Sequence, residues 1–346
     1  MKAKVFIYSL LAVAVVGLVF DTSSAQNDRR GTAGASELLV PLTARSASMS
    51  APVTSGLANL NPLEGVVANP AGLTSGSGAG TSAMFSRTEY VADIGINYFG
   101  AAQAFGNNVL AISVSSWDFG TLQKTTENTP ELSELTFDAG STVFGVSFAR
   151  QFTDRIAAGV TVKGVNEEID DVSASGVAFD AGMTYVAGES GVRFGVALKH
   201  FGPQMQFSGV GLTKFATIPS QEPGSKQNAL NIESEGFELP SQLNVGVAYT
   251  RQVGSSADVT FMGNFASNSF TQDQYAGGVE LGVMNLIYLR GGFMLVEETD
   301  FTFYKQYNLG AGLNLDMGGS RLTVDYAFLP TEFFDDVNMF SVGFEL

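Results

Sequence analysis

The sequence predicts an all-β fold: a transmembrane antiparallel up-and-down β-barrel of about 14 strands with an N-terminal plug. Three observations predict it. Apolar residues alternate with small or polar residues through most of the chain after residue 80. The links between these alternating segments are short and long in turn. The alternation also continues to the last residue, Leu346, as a final strand needs if it pairs with the first strand and closes the sheet.

Residues 1–25 have the features of a secretory signal peptide. Lys2 and Lys4 precede an apolar stretch over residues 5–20, and Ser23-Ser24-Ala25 supplies small residues for cleavage before Gln26. An uncleaved membrane anchor is the alternative, but the stretch is short for a spanning helix and ends at small residues. No later run approaches the roughly 20 apolar residues that a spanning helix needs, so the rest of the chain would cross a membrane with strands.

Residues 26–80 are rich in Ser, Ala and Gly and do not alternate. They contain Asn-Pro steps at 61–62 and 69–70, which favour turns or helix starts. A barrel of this strand number has a lumen too wide for its own side chains to fill, so the segment is predicted to be a plug, or hatch. A disordered periplasmic lead is the alternative.

Residues 81–346 are predicted to form the transmembrane barrel. In the stretch SQLNVGVAYT, for example, Leu243, Val245 and Val247 share one face and Asn244 and Gly246 share the other. The predicted strands are 81–89, 91–104, 108–119, 140–151, 155–166, 176–187, 191–206, 241–252, 256–266, 273–284, 286–296, 304–315, 320–329 and 337–346.

The links sort by length. Short, turn-like links are predicted at 105–108, 152–155, 188–191, 253–256, 284–285 and 316–320. Longer links are predicted at 120–139, 167–175, 207–240, 267–272, 297–303 and 330–336. Successive links of a meander lie at opposite ends of the sheet, so one end carries tight turns and the other carries loops, as in bacterial outer-membrane barrels. A soluble β-sandwich is the alternative, but its links would not sort in this way.

Composition excludes several function classes. The chain has 34 acidic and 18 basic residues, a formal net charge of −16, no Cys and one His. An acidic surface repels nucleic acid. Without Cys, and with His200 alone, neither a Cys/His metal site nor a His-dependent catalytic triad is expected. The parity of His200 places it with Val196 and Leu198 near a loop end, as an interfacial side chain. We therefore predict no catalytic residues, no cofactor and no metal, and we predict that the protein is not an enzyme.

Three charged residues have inward parity: Lys199, Arg290 and Asp325. Because buried charges need partners, Arg290 is expected to pair with Asp325 or with the plug, which would hold the plug to the wall. The alternative is that Arg290 and Lys199 anchor the carboxylate of an amphipathic ligand in the lumen.

The stretches LLVPLTARSASMSAPV, residues 38–53, and NPLEGVVANPAGL, residues 61–73, resemble the PorV/PorQ family, part of the FadL-like group of outer-membrane barrels. Asn69, Pro70, Ala71 and Gly72 match the Asn-Pro-Ala-Gly motif of that group, which lies before the first strand. The family often has Met-Gly-Gly-Ala where this chain has Met49-Ser50-Ala51, so the backbone there is left open.

The resemblance implies a fourteen-stranded barrel with an N-terminal hatch in the outer membrane of a Gram-negative cell. PorV-like members serve type IX secretion and bind secreted proteins near the translocon. We therefore expect a non-enzymatic role in protein secretion and surface presentation, through the links 120–139 and 207–240, with outer-membrane lipid, secreted proteins and translocon components as partners. The alternative is a FadL-like passive transporter of hydrophobic small molecules such as long-chain fatty acids.

Overall fold

The computed structural model describes residues 31–50, 52–57, 59–76, 80–125, 135–216, 227–296 and 305–346. The predicted signal peptide, residues 1–25, lies outside the described residues. No helix of the described part is long and apolar enough to cross a membrane.

Fourteen antiparallel strands form one closed barrel, as the sequence predicts. The first seven are β1 (Thr81–Glu89), β2 (Gly95–Phe105), β3 (Asn108–Gln123), β4 (Thr136–Thr153), β5 (Ile156–Ile169), β6 (Val172–Val186) and β7 (Val192–Phe201). The last seven are β12 (Gln242–Val253), β13 (Ala257–Asn268), β14 (Gln274–Val283), β15 (Ile287–Val296), β16 (Tyr307–Asp316), β17 (Arg321–Leu329) and β18 (Val337–Glu345). Between β7 and β12 the chain leaves the barrel and forms β8 (Met205–Gln206), β9 (Thr213–Ala216), β10 (Asn228–Asn231) and β11 (Gly236–Phe237).

The last strand closes the sheet against the first. Phe85 of β1 lies opposite Val342 of β18. Beyond the paired residues, the Leu346 backbone N–H donates a hydrogen bond of 2.9 Å to the Thr81 carbonyl oxygen. The alternating pattern at the C-terminus therefore belongs to a strand whose backbone groups are paired on both sides.

The apolar face of the strands points away from the barrel. On β4, Phe144 and Phe148 are 51% and 44% exposed, whereas Ser147 and Ala149, which face inward, are buried. A sandwich would bury the apolar rows between two sheets. An exposed belt of Phe, Val and Leu on a closed sheet is stable in hydrocarbon, where every backbone group of the wall is paired within the barrel.

The six predicted tight turns all lie at one end of the barrel, which we call the turn end. The opposite end, the loop end, carries the longer links, but one prediction there is wrong. Residues 167–175 are not a loop: β5 and β6 continue to Ile169 and Val172, which pair, and only Asp170 and Asp171 form the turn. Asp170 has φ 52°, a left-handed conformation that Asp adopts more readily than most residues. The wall therefore extends further at this point than the predicted link 167–175 allows.

The strands β3 and β4 also extend beyond the predicted limits, to Gln123 and from Thr136, which shortens the predicted link 120–139. In contrast, β7 ends at Phe201 rather than at residue 206. Pro203 follows two residues later and has no N–H for a ladder hydrogen bond, which is consistent with an early strand end.

The described residues before β1, 31–50, 52–57 and 59–76, form what we call the inner segment. It contains helix α1 (Ala44–Ser48), helix α2 (Pro62–Ala68) and two 3-10 turns, Ser36–Leu39 and Pro70–Ser75. Both Asn-Pro steps start helical turns, as predicted. Each Asn caps a turn with its side chain and the following Pro takes the first helical position, where its missing N–H is not needed.

The inner segment contacts inward-facing residues around the barrel. The Ala44 N–H donates to Ser341 Oγ of β18 at 2.9 Å. Asn308 of β16 donates through Nδ2 to the Ala47 carbonyl at 2.9 Å, and Tyr98 of β2 donates through its hydroxyl to the Leu63 carbonyl at 3.0 Å. Because these strands lie at different positions around the wall, the inner segment lies within the barrel.

Candidate functional site

A buried network of four charges joins the inner segment to the wall. Arg45 of α1 donates two hydrogen bonds to Glu280 of β14, through Nη2 at 2.7 Å and Nε at 2.8 Å. Arg290 of β15 donates through Nε to the same carboxylate at 2.6 Å and through Nη1 to Asp325 of β17 at 2.5 Å. The Tyr288 ring lies 5.7 Å from the Arg45 Cζ and 5.5 Å from the Arg290 Cζ. Two cations and two anions balance, so the network is neutral and internally paired.

The sequence predicts the pair of Arg290 with Asp325. It does not predict that Arg45 of the inner segment belongs to the same network. Arg45 does not lie on a strand, so the alternation does not indicate which way it points. The available signal is that Arg45 is the only basic residue between residues 31 and 76. A lone cation in a segment that must be buried needs an anion on the surface it meets.

Glu64 of α2 faces the same network. It is buried, and its Oε1 has no hydrogen-bond partner. Burial, and then the neighbouring charge of Asp325, raise the pKa of Glu64 to about 7. The carboxyl is therefore close to half-protonated at neutral pH, although Arg45 and Arg290 oppose that shift.

Lys199 does not belong to this network. It lies on β7, three strands along the wall from β14, and is 9% exposed. No hydrogen bond or ion pair is found for its amine within the described parts of the chain. Lys199 borders a cavity of about 580 Å³ between the inner segment and the loop-end half of the wall, which we call the loop-end cavity. The structure therefore separates Lys199 from Arg290, the two residues that the sequence grouped as carboxylate anchors.

The loop-end cavity is mainly apolar. Residues 38–42 of the inner segment form one side, and Trp117, Phe119, Met294 and Leu329 contribute from the wall. Amide side chains extend along β12 and β13 near Lys199, where Asn264 donates to Asn244 at 3.1 Å and Asn244 donates to Gln242 at 2.7 Å. The cavity thus has a large apolar surface and a smaller polar edge with a single buried lysine, an arrangement suited to an apolar or amphipathic molecule.

The prediction that His200 is an interfacial side chain is wrong. It is buried within the barrel rather than at an outer interface, because its φ of 57° and a register shift between β6 and β7 reverse its side. Its backbone N–H donates to Asp180 Oδ1 at 2.8 Å, and Lys163 Nζ lies 2.5 Å from Asp180 Oδ2. Asp180, a carboxylate near Lys199, is thus already paired with Lys163.

The Asn-Pro-Ala-Gly motif fastens the inner segment to the wall. Asn69 accepts a hydrogen bond of 3.0 Å from the Ala71 N–H through Oδ1. Asn69 Nδ2 donates to three carbonyls, those of Thr54 at 2.8 Å, Met183 at 3.2 Å and Val196 at 3.3 Å. Met183 and Val196 lie opposite each other on β6 and β7, so one amide bridges two wall strands and the inner segment.

The remaining motif residues make the close packing possible. Pro70 starts the 3-10 turn that Ala71 continues, and Ala71 is fully buried. Gly72 lies against Gly65 of α2, and a Cβ at Gly72 would come within 2.5 Å of the Gly65 carbonyl. The motif is therefore a docking element and contributes no chemical group to either side of the loop-end cavity.

No protein-family model matches the chain, and no curated protein matches it by sequence. Solved structures share its fold. The CymD monoaromatic hydrocarbon channel superposes with a TM-score of 0.58 at 12% identity, over 89% of this chain and 97% of that one. The Ralstonia pickettii toluene transporter TbuX gives 0.55 at 13% identity, over 88% and 97%. The Pseudomonas putida toluene transporter TodX gives 0.50 at 11% identity, over 84% and 98%.

At these identities the likeness establishes the fold. A closed 14-stranded sheet with an apolar outer face, which these structures share in fold, is the architecture of an outer-membrane type β-barrel.

Proposed function

We propose that the protein is a non-enzymatic, passive transporter that admits hydrophobic small molecules through the outer membrane. The observation that carries the proposal is the loop-end cavity of about 580 Å³, which is mainly apolar and lies between the inner segment and the wall. Pockets of this size and polarity are typical of sites for small apolar ligands. The names of the structures that share the fold, toluene transporters and a monoaromatic hydrocarbon channel, support the same substrate class.

In this proposal residues 1–25 are a cleaved signal peptide, residues 26–80 are the plug and residues 81–346 are the barrel. The inner segment is the described part of the plug. The Arg45, Glu280, Arg290 and Asp325 network holds the plug to the wall, and Asn69–Gly72 docks it on the opposite side. Arg290 is not among the residues that line the loop-end cavity, and two carboxylates accept from its Nε and Nη1. Lys199 is left as the anchor for a carboxylate, so a long-chain fatty acid is the expected type of ligand.

The test is binding of a fluorescent long-chain fatty acid to the purified protein in detergent. Lys199→Met should weaken binding by roughly tenfold or more, because it removes a charge-assisted hydrogen bond in a site with little water. Lys214→Met, the same change at an exposed lysine on β9, is the matched control and should leave binding unchanged. Equal binding by all three proteins would remove Lys199 from the site, and absence of binding to the unmodified protein would count against the transporter proposal itself.

A second candidate is the protein-secretion role implied by the PorV/PorQ resemblance. The observation in its favour is the excursion between β7 and β12, where the two-stranded sheet of β9 and β10 lies outside the barrel. It exposes Phe215, and Val210 before it, at 68% and 73%. Exposed apolar residues on a sheet with open edges are suited to contact with a protein. Loss of exported proteins from the surface of a deletion strain, restored by the whole chain but not by a chain lacking β9 and β10, would favour this role.

A further inference from the structure

A second cavity lies below the first, towards the turn end. Its volume is about 460 Å³, and Thr250, Gln252, Ser256, Asp258 and Tyr288 contribute to its mainly polar lining. It reaches the tight turns of the wall at Ser255 and Asn285, both of which are exposed residues of the turn end. We call it the turn-end cavity.

A buried apolar layer lies between the two cavities on the side of β12 and β13, and on the side of β14 and β15 the paired Glu280 lines the turn-end cavity. Met49, Val53, Leu57, Leu60, Ala68, Ala248 and Met262 form a single cluster. Ala68 borders the loop-end cavity, and Leu57 borders the turn-end cavity. On β13, Thr260 lines the turn-end cavity and Asn264 lines the loop-end cavity, with Met262 as the inward residue between them. Residues two apart on a strand are separated by about 7 Å, so the layer is one side chain thick at this point.

Met49 occupies the centre of this layer because the wall makes room for it. A Cβ at Gly278 would lie 2.8 Å from the Met49 Cβ and 3.2 Å from the Met262 Cγ. A Cβ at Gly292 would lie 2.3 Å from the Met49 carbonyl oxygen. The two glycines, which face each other on β14 and β15, therefore allow Met49 to pack directly on the wall backbone.

We infer that the two cavities are halves of one passage along the barrel axis, and that Met49 and Met262 form the constriction that closes it. This inference rests on the proposed transport function and specifies its route and its selectivity. Methionine side chains are unbranched and flexible, so they can move aside for an apolar molecule without a rearrangement of the backbone. In the resting arrangement both side chains are buried and fill the layer, so ions and polar solutes do not pass.

The experiment is a conductance measurement on the full-length protein in planar lipid bilayers with potassium chloride as the probe. The unmodified protein should be closed. Met262→Ala and Met49→Ala should each produce discrete channel currents, and the double variant should give currents several-fold above either single one. Met183→Ala is the matched control, because Met183 faces outward and is 51% exposed. It should remain closed.

Folding is checked by the shift in electrophoretic mobility between unheated and heated samples. Met262→Ala leaves the inner segment intact, so it remains informative if Met49→Ala does not fold. Folded single and double variants that stay closed would overturn the inference, and so would an open unmodified protein. The conductance test uses ions as the probe, so its result is independent of the fatty-acid binding test. If Met49→Ala opens the channel but the unmodified protein binds no fatty acid, the constriction is supported and the proposed substrate is not.

Discussion

Arg45 of the inner segment and Glu280 of the barrel wall, 235 residues apart in the sequence, share two hydrogen bonds of 2.7 and 2.8 Å in a buried site. Burial opposes the charge on Arg45, but the carboxylates of Glu280, Glu64 and Asp325 together outweigh that effect and raise the pKa of Arg45 above its usual value. This pair links the inner segment, which has no alternating pattern, to the barrel strands, in which apolar and polar residues alternate. Several properties of the protein should follow from it and from the other contacts between the two parts.

Breaking the Arg45–Glu280 pair should loosen the inner segment. Arg45→Met should lower the free energy of unfolding by roughly 3 kcal/mol, because it leaves a buried carboxylate with one cation fewer. The double variant Arg45→Met, Glu280→Gln should lose less than the sum of the two single changes, since it removes both charges. Urea unfolding in detergent measures the stability, and proteolysis before residue 80 measures exposure of the segment. Strict additivity would show that the two residues are not energetically coupled.

Asn69→Ala should detach the inner segment from β6 and β7. The change removes one donor group that reaches three carbonyls and a cap on the 3-10 turn, a loss of about 2 kcal/mol. Asn107→Ala, at an exposed position in the turn between β2 and β3, is the matched control and should change stability little. The same unfolding measurement compares them. If both variants unfold alike, the amide bridge does not stabilise the protein.

Ser50 should tolerate Gly better than any branched residue. Its φ of 59° lies in the left-handed region, the backbone conformation that the Gly of the family's Met-Gly-Gly-Ala favours. The backbone after Met49 therefore keeps a glycine-like conformation although the chain has Ser there. Ser50→Gly should leave stability unchanged or raise it by up to about 1 kcal/mol, whereas Ser50→Val should lower it by more than that. A neutral Ser50→Val in thermal unfolding would contradict the assigned conformation.

Glu64 should make stability depend on pH. Its pKa is raised from 4.5 to about 7 in the folded protein, so the folded state binds the proton more tightly than the unfolded state. The resulting stabilisation is complete below pH 4.5 and is lost as the pH rises through about 7. The change should amount to roughly 3 kcal/mol, and Glu64→Gln should abolish it. Unfolding followed between these two pH values measures the difference; an identical pH profile in the variant would exclude Glu64 as its source.

Much of the barrel could be predicted because the alternation of residues such as Phe144, Ser147 and Phe148 follows from strand geometry alone. The sequence was less informative where backbone geometry changes the parity. The left-handed His200 and the bulge beside it reverse one side chain, and Asp170 and Asp171 form a two-residue turn where a longer link was predicted at 167–175. Neither feature repeats along the sequence, so the alternation of apolar and polar residues does not reveal it.

The candidate site could likewise be predicted only in part. The inward parity of Lys199, Arg290 and Asp325 and the Arg290–Asp325 pair could be predicted, but not that Glu280 also pairs with Arg290 or that Lys199 meets a cavity. The cavity is enclosed by residues 38–42 of the inner segment, so it depends on how that segment docks. The docking in turn depends on contacts such as that of Met49 with Gly278 and Gly292, which join residues more than two hundred positions apart.

The measurement that tests the central claim most directly is photolabelling of the full-length protein with a photoreactive long-chain fatty acid, mapped by mass spectrometry. The account predicts labels on residues 38–42, Trp117 and Met294, which line the loop-end cavity, and loss of these labels when unlabelled fatty acid competes. Labels confined to outward residues such as Phe144 and Phe148, without competition, would show that the barrel meets fatty acid only as surrounding lipid and would contradict the account.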